Sequence, residues 1–275
     1  MPPTREPNGP QAQQTQTPLN PRPPQLNGET LEGAHQPSPP PGTPTSANAA
    51  KKKNRNRANI VIGSLNMNGL TAPSHNMSFT EKWSMINQTL NKYKIAVLAL
   101  QETHLDDETA ERIRECYGKK MSIIHSADPG NPRATAGVAF VINKSLITPK
   151  KTSANALQSG RALMLEIEWL DTEKTKILNI YAPNDKTEHL AFWSDIETER
   201  NNRRLARPDF VLGDFNVTED PIDRAPPHPD NANAIEALRG TKHAWELQDE
   251  WRQTYPDEKP LPTEQTRTDS KYSPA

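Results

Sequence analysis

The chain has 275 residues and a formal net charge of -1, with 33 Lys and Arg against 34 Asp and Glu, which allows one large α/β domain or two small ones. The charge balance excludes a globally basic nucleic-acid binder of the histone kind, while leaving room for a local basic face. A single cysteine, Cys116, excludes an internal disulfide and a Cys-based zinc site and makes a reducing, intracellular compartment the default; neither an apolar run of about 18 residues nor an apolar signal core is present, so neither a membrane span nor secretion is predicted.

Thirteen of the 27 prolines fall in the first fifty residues, among Gln, Asn, Thr and Gly and almost no large apolar side chains. Such a stretch cannot bury enough surface to offset its conformational entropy, and residues 1–56 are predicted to be a disordered tail. Pro23-Pro24 and Pro39-Pro40-Pro41 favour local polyproline II, which reads either as a weak ligand for proline-recognising domains or as plain linker. Lys51, Lys52, Lys53, Arg55 and Arg57 cluster at the junction with the first apolar run. A block of this kind contacts phosphates, directs a protein to the nucleus or merely solvates a linker, and the sequence leaves the three open.

Ordered structure is predicted from Asn59, where Ile60, Val61 and Ile62 open a strand that ends in Ser64-Leu65-Asn66 before Gly69. From Thr80 the period changes: Trp83, Ile86, Leu90 and Tyr93 recur at spacings of three or four and describe one helical face. Ile95 to Leu100 is a short continuous apolar run and reads as a central strand. A helix over 107–117, strands over 121–125 and 137–142, and a strand with Leu163, Leu165, Ile167 and Trp169 on one face follow. Only Asp171-Thr172-Glu173 separates that strand from the next, over 176–182, which predicts a hairpin. A helix over 187–203, a strand over 209–212 and a helix over 231–245 complete the series. Hairpin pairs mixed with single long helices argue for a layered α/β domain with mixed sheets.

Four polar signals each stand at the end of an apolar strand: Asn66-Met67-Asn68-Gly69, Gln101-Glu102-Thr103, Asn179-Ile180-Tyr181-Ala182-Pro183-Asn184 and Gly213-Asp214-Phe215-Asn216. Strand ends are held rigidly by the sheet while their side chains reach a common edge. Taken singly, each is ordinary turn chemistry.

Taken together and in this order, the four motifs resemble the superfamily that contains DNase I, exonuclease III, apurinic endonucleases and LINE-type retrotransposon endonucleases, over roughly residues 59–253. Asn66-Met67-Asn68-Gly69-Leu70, Ser159-Gly160-Arg161-Ala162 and Leu247-Gln248-Asp249-Glu250-Trp251-Arg252 look most like the retrotransposon branch. The resemblance implies a DNase I-like four-layer sandwich over 57–275, two mixed β-sheets flanked by helices, in a monomer that acts on DNA and not on a membrane. It implies Mg²⁺, or Mn²⁺, held by Glu102 with Asn66 at the metal shell. Asp214 would take a proton from the attacking water and Asn216 would hold that water in line. Tyr181, Asn184 and Asn68 would contact phosphate oxygens. His104 and His243 are read as structural.

The family pattern closes with a Ser-Arg-Ile-Asp strand and a terminal Ser-Asp-His, and neither occurs in these 275 residues. Thr268-Asp269-Ser270 is followed by no apolar strand and is not mapped onto them. The expectation is therefore a sandwich incomplete at its C-terminus, with weak or no activity. A non-catalytic scaffold or DNA-binding remnant, and a phosphatase of the same fold, remain the alternatives.

Overall fold

The computed structural model of the protein describes residues 59–68, 78–148, 151–168, 174–224 and 226–258. The predicted tail, the basic cluster, Gly69, Leu70, Trp169, the hairpin turn at 171–173 and Thr268-Asp269-Ser270 lie outside the described residues. The chain order is β1 (Val61–Asn66), α1 (Phe79–Lys92), β2 (Ile95–Gln101), α2 (Asp107–Tyr117), β3 (Met121–Ser126), β4 (Val138–Asn143), β5 (Thr152–Gln158), β6 (Ala162–Glu168), β7 (Lys174–Tyr181), α3 (Lys186–Asn202), β8 (Phe210–Asp214), α4 (Ala232–Trp245) and α5 (Glu250–Thr254).

The strands form two four-stranded mixed sheets, ordered β1-β2-β4-β3 and β5-β6-β7-β8. Each has one parallel pair at its edge, β1 with β2 and β7 with β8, and antiparallel pairs elsewhere. β2 is an uninterrupted apolar run because both of its faces are covered. Leu98 and Leu100 meet Trp83, Ile86 and Leu90 of α1, while Val97 and Ala99 face the second sheet with Phe140, Ile142, Leu163, Leu165 and Ile167. On the far side Met164, Leu178 and Ile180 carry Phe192, Trp193 and Ile196 of α3 and Leu238 and Trp245 of α4. The layers therefore run helix, sheet, sheet, helix, as the motif pattern implied. Among the described residues no helix is long and apolar enough to cross a membrane.

The predicted face of α1 holds except at its end. Tyr93 is 58% exposed and serves as the helix C-cap, with the Lys92 ammonium 5.0 Å from its ring centroid. β5 was not foreseen. Its sequence, Thr-Ser-Ala-Asn-Ala-Leu-Gln, has few apolar residues because β5, among the described residues, is an edge strand paired only with β6. α5 was also unforeseen, being a single short turn capped by Asp249.

Two polar side chains, Asn179 and Gln101, are buried where the sheets meet. Asn179 of β7, fully inaccessible to solvent, donates to the carbonyl oxygens of Leu100 in β2 at 2.9 Å and Ala139 in β4 at 3.0 Å. Its own oxygen accepts from Gln101 Nε2 at 2.7 Å, and Gln101 bonds in turn to Ser64 of β1. A buried amide left without partners costs about 1–3 kcal/mol, so complete satisfaction turns Asn179 from a liability into a tie between the sheets. Asn179→Ala removes the tie, strands Gln101 and opens a small cavity. The expected loss is about 3 kcal/mol in urea unfolding, and a loss below about 1 kcal/mol would contradict this role.

Candidate active site

Two parallel pairings deliver the site. In the first sheet Asn66, last in β1, lies beside Gln101, last in β2, and Met67 N donates to Gln101 O at 2.9 Å. In the second sheet Tyr181, last in β7, lies beside Asp214, last in β8, and Ala182 N donates to Asp214 O at 2.9 Å. β1 and β8 are the edge strands of their sheets and lie against each other, so the four strand ends open at one place.

Asn66 joins the sheets there. Its Nδ2 donates to Glu102 Oε1 at 2.9 Å and to Asp214 Oδ2 at 2.8 Å, across 148 positions of sequence. The two carboxylate oxygens are therefore no farther apart than the two bonds laid end to end, about 6 Å. The direction of the amide follows from a backbone group: Asn68 N donates to Asn66 Oδ1 at 2.8 Å, and an N–H cannot donate to an NH₂. Its oxygen accepts from Asn68 N and keeps a second lone pair, while the face it presents to the two carboxylates is a donor.

Asp214 has both oxygens fixed, Oδ2 by Asn66 and Oδ1 by Asn216 N at 3.1 Å. Asn216 Nδ2 donates to Ala182 O at 2.6 Å, which leaves the Asn216 carboxamide oxygen and a second N–H to face a ligand. The Tyr181 phenol is pushed up to about 12, first by burial, then by the negative charge of Glu102 and a hydrogen bond to it, and then by Asp214, with Arg161 pulling the other way. Tyr181 is thus a neutral hydrogen-bond donor at any physiological pH and no phenolate nucleophile. Asn184 is exposed just before Asp185, which caps α3 through Thr187 N at 2.8 Å and Glu188 N at 3.1 Å. Among the described residues Asn184 makes no hydrogen bond to the cluster, and Asn68 joins it through its backbone. His104 is half-buried beside Glu102 and its imidazole is held below the usual histidine range, chiefly by burial; His243 is exposed on α4.

The backbone is unusual where the cluster forms. Asn68, Glu102 and Asn216 have φ of 49°, 48° and 51°. Asn tolerates this left-handed conformation, but for Glu102 it costs about 1–2 kcal/mol. Thr103 N and His104 N, bonded to the carbonyls of Gly137 and Ala136 at 3.1 and 3.3 Å, hold the strained turn in place. Gly213, with φ of 137°, is required because a Cβ there would run into Ile180 O.

Among the described residues no three His, Cys, Asp or Glu side chains form a ready metal cage. Mg²⁺ commonly keeps several waters and uses one or two carboxylates. Two negative charges about 6 Å apart repel by roughly 3 kcal/mol at an effective dielectric of about 20, and a divalent cation reverses that sign. The donor set formed by Glu102 and Asp214 fits such an ion.

Two residues near the site had no assigned role from sequence. Asn179 was visible as the first residue of the Asn-Ile-Tyr-Ala-Pro-Asn motif, without a role of its own, and Arg161 only as part of Ser-Gly-Arg-Ala.

The fold and site define a hydrolase architecture of the DNase I-like class. Residues 63–266 match the model of the Endonuclease/Exonuclease/phosphatase family, and the chain belongs to that family. The AP endonuclease LMAP from Leishmania major superposes with a TM-score of 0.56 at 18% identity, covering 72% of this chain and 70% of that one. An AP endonuclease from Archaeoglobus fulgidus gives 0.49 at 18% identity, with 72% and 76% covered. The APE2 catalytic domain from Xenopus laevis gives 0.47 at 17% identity, with 72% and 73% covered. No curated protein matches the sequence significantly.

The Tyr181 environment is measurable. Of the five tyrosines, one should ionise near pH 12 in a spectrophotometric titration, and Tyr181→Phe should remove that step. Because its folded value lies above the ordinary 10, Tyr181 contributes stability that is complete below about pH 10 and is lost as pH rises through about 12. A protein whose tyrosines all titrate near 10 would contradict the arrangement.

Proposed function

We propose that the protein is a Mg²⁺- or Mn²⁺-dependent phosphodiester hydrolase acting on DNA, an endonuclease of the retrotransposon type. The observation that carries the reading is the Asn66 carboxamide shared between Glu102 and Asp214. It brings a metal-binding carboxylate from one sheet beside a candidate base from the other. The retrotransposon assignment is supported by Asn66 to Leu70, Ser159 to Ala162 and Leu247 to Arg252, which differ from apurinic repair enzymes most clearly at Asn68.

Glu102, with Asp214 alongside, would hold the metal, which would supply charge neutralisation at the phosphate and acidify water there. Asp214 accepts the proton of the attacking water, and its two fixed oxygens mean that no reorientation is needed at that moment. Asn66 is a positioning residue that keeps the two carboxylates in register. Asn216 holds the water or a phosphate oxygen through its free amide groups. Tyr181, neutral at working pH, has one O–H and would turn it from Glu102 to a phosphate oxygen where charge accumulates, and Asn184 and Asn68 contribute at the rim.

Plasmid nicking tests the reading. The full chain should nick supercoiled DNA in Mg²⁺, EDTA should abolish the reaction, and Asp214→Ala should lower the rate by at least about 10². No nicking at all, or nicking that persists in Asp214→Ala, would overturn it.

A further inference from the structure

We propose that His189 is a positioning residue for this site, holding the candidate base Asp214 through the single peptide group between Phe215 and Asn216; the inference rests on the hydrolase reading above.

His189 lies near the start of α3 and is 2% exposed. Its Nε2 stands 3.0 Å from Phe215 O. A carbonyl oxygen only accepts, so the ring hydrogen is on Nε2 and the imidazole is the donor. Among the described residues Nδ1 is buried without a hydrogen-bond partner. A buried imidazole with one nitrogen idle costs more to desolvate than an apolar side chain of its size. The bond to Phe215 O is therefore the polar task that the side chain performs.

That bond reaches the site because a peptide group is planar. Phe215 O and Asn216 N belong to one such plane and point in opposite directions, so a donor that fixes the oxygen also fixes the N–H. The Asn216 N–H is the group that donates to Asp214 Oδ1 at 3.1 Å. One peptide thus carries the position of a buried helix residue to the carboxylate, and the two hydrogen bonds it makes polarise each other.

The helix grips the same residue twice. Trp193, one turn after His189 and edge to face with it at 6.0 Å, stacks on the Phe215 ring with centroids 6.1 Å apart and planes at 24°. Asn216 Nδ2 returns to Ala182 O at 2.6 Å, three residues before the Asp185 cap of α3, which closes the circuit from helix to loop to strand end. Asn216 has φ of 51°, a conformation that Asn tolerates without preferring it, so the peptide before it needs such a hold.

Plain packing of α3 on the loop is the competing role. Hydrogen exchange separates the two, because loss of one bond frees one amide whereas loss of packing frees many. His189→Leu removes the donor and keeps an apolar side chain of similar bulk; His189→Gln puts an amide nitrogen near the place of the imidazole Nε2. In NMR-detected exchange of the full chain, the Asn216 N–H should exchange about tenfold faster in His189→Leu, with the amides of Phe192 to Ile196 unchanged, and His189→Gln should restore most of the protection. In Mg²⁺ the nicking rate at saturating plasmid should fall about tenfold in His189→Leu, with the half-saturating plasmid concentration unchanged, and should recover to within about threefold in His189→Gln.

A long-range proton–nitrogen NMR spectrum of the unaltered chain requires no variant to fold. The His189 ring should carry its hydrogen on Nε2, and a ring with hydrogen on Nδ1 alone overturns the proposal. Unchanged Asn216 exchange in His189→Leu, exchange raised all along α3, or a His189→Gln variant freed as far as His189→Leu overturns it too. Absence of nicking by the unaltered chain would sink the hydrolase reading, while a selectively freed Asn216 N–H would still show His189 holding the Asp214 loop. Nicking together with unchanged Asn216 exchange would sink His189 alone.

Discussion

A fully buried carboxamide is costly unless every one of its groups is used, and Asn179 uses them to lock β7 onto β2 and β4. Apolar contact between two sheets resists separation but only weakly resists sliding, because the hydrophobic effect has no direction. Hydrogen bonds to Leu100 O and Ala139 O do have direction, and they lie within two residues of Glu102 and of Tyr181. The tie therefore sets the register of one sheet against the other just where the strand ends of the candidate site meet. The Asn66 bridge between Glu102 and Asp214 depends on that register: its two bonds, 2.9 and 2.8 Å long, leave little room for a sheet displaced by one residue, about 3.3 Å.

The ends of the strands carry costs that the core must offset. Glu102 stands in the left-handed region, and two carboxylates are held closer than their charges favour. Such local strain persists only where surrounding structure over-determines it. Here the bonds from Thr103 N and His104 N to the β4 entry, the obligatory Gly213 and the Asn66 amide perform that task. The arrangement places fixed donors and acceptors where they need not reorganise, which is the property a site needs if it is to favour a transition state over bound substrate.

Much of this was legible in the sequence because burial and strand ends leave local marks. β2 is readable as a continuous apolar run since helices cover one of its faces and a sheet the other, and Glu102 and Asp214 are readable because each is the polar residue that closes such a run. β5 escaped because an edge strand with half-exposed faces tolerates Ser153 and Asn155, and its pattern carries neither strand nor helix period. Tyr93 was misplaced since the helical spacing continues one step past the residue that ends the helix. The orientation of Asn66 could not be read at all. It depends on Asn68 N, two residues away, and on Asp214, 148 residues away. The role of Asn179 is likewise tertiary: a polar residue in an apolar run signals that something satisfies it, but only the other sheet shows what.

The central claim is that strand ends from two sheets form one cation-binding cluster around Glu102 and Asp214. The most direct measurement is anomalous diffraction from crystals of the full chain soaked in Mn²⁺. The account predicts one anomalous peak about 2.2 Å from a Glu102 carboxylate oxygen and beside Asp214, with the Asn66 amide nitrogen still facing both residues. A peak bound elsewhere, or a cluster in which Glu102 and Asp214 have turned away from each other, would contradict it.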